Sequence, residues 1–105
     1  MPEQQRRLAA IMFTDIVGYT TLMGRNEAEA FKMLERNRAI HKKYLDQFNG
    51  HLIKEMGDGT LASFDSISNA IQCASSIQKD CKEQNIFLKT GSARSKKRSS
   101  QDLLR

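Results

Sequence analysis

Apolar and polar positions along this chain follow two periods, and the changes of period mark its elements. Leu8 to Phe13, "LAAIMF", is an unbroken apolar run of strand length, the pattern of a central strand covered on both faces. Gly18 breaks the run, and Tyr19 to Met23 can form a short helical turn. Asn26 with Glu29 is a variant capping box, which predicts a helix from Glu27. Its buried stripe is traced through Ala30, Phe31, Leu34, Ile40, Tyr44 and Phe48, with Gly50 placed to end it. "HLIKEMGDGTLASF" reads as two short strands around a "GDG" turn, because glycines flanking an acid permit the positive φ of a tight hairpin. Asp65 is the expected N-cap of a second helix, along which Ile67, Ala70, Ile71, Ala74, Ile77 and Cys81 recur at helical spacing.

"IFLKT" should open a fourth strand, but only Ile86, Phe87 and Leu88 are apolar. The stretch that follows, "GSARSKKRSSQDLLR", has no apolar period before Leu103 and Leu104 and has a disordered composition. The expected order is β-α-β-β-α, a mixed α/β fold of the α+β kind that stops before its sheet is complete. The folded part is placed on residues 1–88 and a basic tail on residues 89–105.

Composition sharpens this picture in three ways. At 105 residues the chain is one domain at most, with room for a single core. Residues 1–93 hold 12 basic and 11 acidic side chains against 5 and 1 in residues 94–105, so the net charge of +5 belongs mostly to the tail. Cys73 and Cys81, on one helix, are separated by about 12 Å of rise, too far to bridge, so reduced thiols and a cytoplasmic location are expected. The opening "RRLAAIMFTD" resembles a signal peptide, but Thr14 and Asp15 cut its apolar run short. No transmembrane segment is expected, because no stretch reaches membrane-spanning length.

The candidate chemistry lies in "FTDIVGYT" and "GDG". Asp15 ends the first strand, and Asp58 occupies the tip of the hairpin expected to pair beside it. Two carboxylates brought together raise each other's pKa unless a cation sits between them. A few hard oxygen ligands beside a turn suit Mg²⁺ or Mn²⁺ serving substrate phosphates. Gly18, Tyr19 and Thr20 could turn backbone N–H groups toward an anion at a helix start. Each acid also has a plainer reading: Asp15 as the N-cap of the following turn, and Asp58 as an ordinary turn residue. Lys54 shares a strand face with Asp58 about 13 Å away, too far for one metal-bound triphosphate to meet both. Taken alone it reads as a solvated edge-strand lysine. His41, among Arg38, Lys42 and Lys43, is expected at the surface or its boundary, and His51 carries no signal.

Together "LAAIMFTDIVGYT", the long helix, "NGHLIKEMGDGTLASF" and "DSISNAIQCASSIQ" resemble the first half of a class III adenylate/guanylate cyclase catalytic domain, over roughly Leu8 to Leu88. The resemblance implies a ferredoxin-like fold whose subunits pair head to tail, as a homodimer or as a heterodimer with another cyclase chain. It implies two Mg²⁺ or Mn²⁺ ions held by Asp15, Asp58 and the backbone carbonyl of Ile16. Phosphates would lie on Gly18 and the amides of Tyr19 and Thr20. Lys54 matches the base-reading lysine of the adenylate type: it can donate to an adenine ring nitrogen but cannot accept from guanine, which suggests ATP as substrate and cyclic AMP and pyrophosphate as products. In the family this lysine serves the site whose metals the opposite subunit holds.

The resemblance also implies a gap. The Asn and Arg that orient the ribose and stabilise the transition state in the family have no counterpart after Leu88. The expectation is therefore a cyclase fragment, from a frameshift or early stop, that keeps the metal and ATP half and is inactive alone. The alternatives are a non-catalytic dimerisation or regulatory partner of a complete cyclase and, from the basic tail alone, a small ferredoxin-like nucleic-acid binder. The tail lacks interleaved aromatics, so nucleic acid is not the expected partner.

Overall fold

The computed structural model describes residues 10–94. Strand β1 (Ala10–Ile16) leads through a short helix α1 (Tyr19–Arg25) into the long helix α2 (Glu27–Gln47). The hairpin β2 (His51–Met56) and β3 (Gly59–Phe64) follows, then helix α3 (Ile67–Glu83) and strand β4 (Leu88–Arg94). All pairs are antiparallel, in the order β2-β3-β1-β4. The βαββαβ order on this sheet is the ferredoxin-like arrangement of the α+β class.

The sheet has a fourth strand where the sequence shows only its beginning. β4 pairs with β1 from Ile16↔Leu88 to Ala10↔Arg94. Its pairing rests on main-chain hydrogen bonds, which need no apolar side chain. At Gly91 the ring of Phe13 packs directly over the backbone, where any side chain would collide with it. The remainder of the basic tail, residues 95–105, lies outside the described residues, as does the Leu8–Ala9 start of the apolar run.

β1 is central, but only one of its faces is covered. Ala10, Met12, Thr14 and Ile16 are buried under the helices while Phe13 and Asp15 point the other way and are exposed. The acid that interrupts the apolar run therefore sits on the open face and needs no buried partner. α3 packs on β1, β3 and β4, and α2 packs on α3. Met12, Phe64, Cys73, Ile77, Cys81 and Ile86 are fully buried between these layers, each large apolar side chain contributing about 1.5–3 kcal/mol.

The Asn26 cap forms as expected, its side chain accepting from Glu29 N–H at 3.1 Å. Elsewhere the helices differ from the sequence expectation. On α2 the buried stripe is Ala30, Leu34, Asn37, Ile40, His41 and Leu45, whereas Phe31 is 55% exposed. α2 ends at Phe48, and Asn49, not Gly50, takes the left-handed position with φ 58°. Ser66, not Asp65, caps α3, accepting from Asn69 N–H at 3.2 Å. Cys73 takes the buried place expected of Ile71, which is exposed.

His41 is the largest departure. It is buried, and the carbonyl of Asn37 can only accept, so His41 Nδ1–H donates to it at 2.8 Å. Nε2 then accepts the Thr14 hydroxyl at 2.7 Å. The Cys81 thiol donates to Asn37 Oδ1 at 3.7 Å, completing a buried polar chain from α3 through α2 to β1.

Gly50 supplies a check on this packing. A side chain there would begin 2.6 Å from Leu45 Cδ2 and 2.7 Å from the buried ring of Phe64. Gly50→Ala is expected to destabilise the fold by about 1–3 kcal/mol, read as a lower urea midpoint with an unchanged slope.

Candidate functional site

β1 carries Asp15 to the open end of the sheet between two neighbours, opposite Gly59 of β3 and Lys89 of β4. The β2–β3 turn, Gly57–Asp58, reaches the same end, because β3 begins at Gly59. Asp15 Oδ1 lies 3.7 Å from where a side chain on Gly59 would begin, leaning toward the hairpin tip. The Asp58 carboxyl is near enough to Asp15 to feel its charge. Asp58 has its pKa raised above the usual 3.8 by partial burial first, then by the hydrogen bond and negative charge of Asp15, against a downward pull from its own backbone.

Asp15 is not the cap of the following helix. That position belongs to Gly18, whose φ of 79° is left-handed and whose lack of a side chain leaves no capping hydrogen bond. Gly18 O accepts from Leu22 N–H at 3.0 Å, so the amides of Tyr19 and Thr20 belong to the helix's first turn, which has no preceding carbonyl to bond. Tyr19 is buried and anchors this turn, while Ile16, also buried, fixes the backbone just past Asp15. Val17 N–H donates to Phe87 O at 2.7 Å and closes the strand end against β4.

A cavity of about 520 Å³ opens beside Asp15, lined by Phe13, Thr14, Met56, Gly59, Thr60, Leu61 and Lys89. Lys54 does not line it. It stands on edge strand β2 opposite Leu61, exposed, beyond a bulge at Ile53 that shifts the register between Leu52 and Lys54. Asp15, Ile16, Gly18, Tyr19 and Asp58 thus converge at one end of the sheet, and Lys54 stands apart from them.

The donor set is compatible with a hard divalent cation. Among the described residues no group of three or more His, Cys, Asp or Glu gathers to hold a metal, so the closed cages of structural zinc and the many-carboxylate shell of calcium have no counterpart. Two adjoining carboxylates with a nearby carbonyl are what an ion that keeps much of its water requires.

No protein-family model matches the chain. A curated protein of Rhizobium meliloti (strain 1021), "Putative adenylate cyclase 3", is 39% identical over 75 residues, 70% of this chain and 13% of that protein. A solved adenylate/guanylate cyclase/hydrolase from Silicibacter pomeroyi is 30% identical, with a TM-score of 0.73 over 84% of this chain and 56% of that one. The described fold is that of the class III adenylate/guanylate cyclase domains, and the chain is similar to them in sequence. The fold is shared more widely: a bacterial light-regulated adenylyl cyclase superposes with a TM-score of 0.77 at 20% identity, over 84% of this chain and 53% of that one. The cyclase-like chain thus spans about half the length of the solved relatives and a small part of the curated one.

Sequence reasoning on this cyclase-like chain missed Lys89, assigning it to the tail. The signal lay in "FLKT", where a lysine follows two apolar residues on a strand that must pair with β1. Its register opposite Asp15 makes it the cation of the site cavity.

Proposed function

We propose that this chain supplies the metal and phosphate end of an adenylate cyclase site, binding ATP with two Mg²⁺ or Mn²⁺ ions. It would give cyclic AMP and pyrophosphate only when a second cyclase chain completes the site. The observation that carries this reading is the convergence of Asp15 and the Gly57–Asp58 turn, from two different motifs, at one end of the sheet. Asp15, Asp58 and the Ile16 carbonyl would hold the ions. When bound, such ions activate the ribose 3′-hydroxyl and neutralise the departing pyrophosphate.

The chain's own residues position the substrate. The first amides of α1, on Tyr19 and Thr20 after the left-handed Gly18, would serve as donors for phosphate oxygens. Lys89 brings a cation beside Asp15, and Phe13, Met56 and Leu61 give the cavity an apolar wall. Lys54, outside this cavity, would read adenine in a second site whose metal end belongs to the partner chain. That division favours a head-to-tail dimer. Among the described residues no helix is long and apolar enough to cross a membrane. The buried, unpaired Cys73 and Cys81 support a reducing, cytoplasmic setting.

Complementation tests the reading. The chain alone, with Mn²⁺ and ATP, is expected to form no cyclic AMP. Mixed with an intact homologue whose own two metal carboxylates are replaced by amides, it is expected to restore synthesis, and Asp15→Asn should abolish that rescue. A change in the homologue's output that survives Asp15→Asn would instead indicate a regulatory partner. Neither binding nor any change would overturn both readings.

A further inference from the structure

We propose that Met56 is an oxidation site that tunes the cavity beside Asp15: a hydroperoxide converts its thioether to the sulfoxide, and the polar product weakens nucleotide binding there. The inference rests on the reading of that cavity as the ATP site. In the reaction with hydrogen peroxide an S–O bond forms and the O–O bond breaks. The sulfur gives up two electrons, and the second peroxide oxygen leaves as water.

Three observations single out Met56. First, it is the exposed methionine: Met12 is fully buried and Met23 and Met33 are half-buried against the core, whereas Met56 is 54% exposed. Second, the residues after and across from it carry no side chains. It ends β2 just before Gly57 and directly opposite Gly59, so neither the next residue nor the cross-strand one has a side chain to cover it. Third, the thiols offer no competing target. Burial pushes Cys73 up to about 11 and Cys81 up to about 12, the latter helped by the charge of Asp80, so neither forms appreciable thiolate near neutral pH.

The position gives the modification its effect. Met56 is one of three large apolar side chains on the cavity wall, with Phe13 and Leu61. A sulfoxide replaces a polarisable apolar surface with a strong dipole whose oxygen only accepts hydrogen bonds. That oxygen would share the cavity with the carboxylate of Asp15 and could be matched only by a donor. Apolar contact with the ligand is lost and the ring or sugar facing that wall meets a second acceptor. Reduction by methionine sulfoxide reductases would restore the thioether, so the change is reversible.

The test treats the full chain with graded hydrogen peroxide, maps each methionine peptide by mass, and titrates Mn²⁺·ATP before and after. Met56 is expected to oxidise ahead of Met12, Met23 and Met33. Met1, outside the described residues, is followed as its own peptide. Affinity should fall about fivefold as the Met56 peptide converts, the loss expected for one apolar contact, and recover on treatment with reductases A and B. Met56→Leu, whatever its starting affinity, should hold that affinity through the same treatment. Oxidation of Met23 or Met33 as fast as Met56 would overturn the proposal. So would an equal loss in Met56→Leu, or unchanged affinity once Met56 is converted. A chain that binds no Mn²⁺·ATP before treatment overturns the ATP-site reading and this proposal with it. Equal binding before and after overturns this proposal alone.

Discussion

Asp15→Asn and Asp58→Asn are each expected to lower Mn²⁺ affinity at least about a hundredfold, equivalent to about 2.7 kcal/mol. Each change removes one of only two carboxylates at the site and leaves a neutral amide that binds a hard cation poorly. Electron paramagnetic resonance of free Mn²⁺ reads this directly without turnover. In the metal-free chain Asp58→Asn should act in the opposite sense. A carboxyl whose folded pKa is raised favours the folded state below its unfolded value of about 3.8, and loses that contribution as pH rises through the folded value. At neutral pH the ionised Asp58 is therefore a cost, and its amide should melt at a higher temperature than the parent. For the same reason, Mn²⁺ affinity of the parent should begin to fall on acidification at a pH where an ordinary carboxylate is still ionised. A metal affinity that survives either substitution would remove the site assignment.

His41→Ala carries the largest stability effect expected of a single change, about 3 kcal/mol, read from urea unfolding. It opens a cavity in the core and leaves the Thr14 hydroxyl without its acceptor. The pH dependence separates this from simple loss of volume. Burial lowers the pKa of His41 below the usual 6.5, outweighing the opposing hydrogen bond to Asn37 and the charge of Glu55. The unfolded chain takes up a proton below about pH 6.5 that the folded chain refuses, so stability falls as pH drops from there until it reaches the lowered folded value. The parent should show this slope, at most about 1.4 kcal/mol per pH unit, and His41→Ala should lack it. A slope retained in the variant would assign it to another group.

The site was more legible than the core around it. Asp15 and Asp58 announce themselves because one interrupts an apolar run three residues before a glycine and the other stands between two glycines. Asn37 and His41 were not legible, since polar residues on a helix normally mark its wet face. Here they are buried because His41 donates to the Asn37 carbonyl and accepts from Thr14, while the Asn37 side chain accepts from Cys81, partners 27 and 44 residues distant in sequence. Once those two positions belong to the core, the buried stripe on α2 turns away from Phe31. β4 escaped for a related reason. A strand next to a well-formed central partner borrows its order from that partner's main chain, and side-chain pattern records it weakly. Lys89 went unrecognised with it.

The bulge at Ile53 decides which charge of β2 faces outward. Leu52 faces Ala62, a buried inward position, and Lys54 faces Leu61, an outward one, with Ile53 as the extra residue between. Were Ile53 instead paired in frame with Leu61, Lys54 would oppose Thr60, on the helix side, while Glu55 would move opposite Gly59 onto the open face. The hairpin therefore holds two opposite charges in adjacent frames, and the bulge selects which of them lies on the open face. Deleting Ile53 alone would remove the bulge and still leave Lys54 opposite Leu61, so it is the pairing of the extra residue, and not its mere presence, that decides the face.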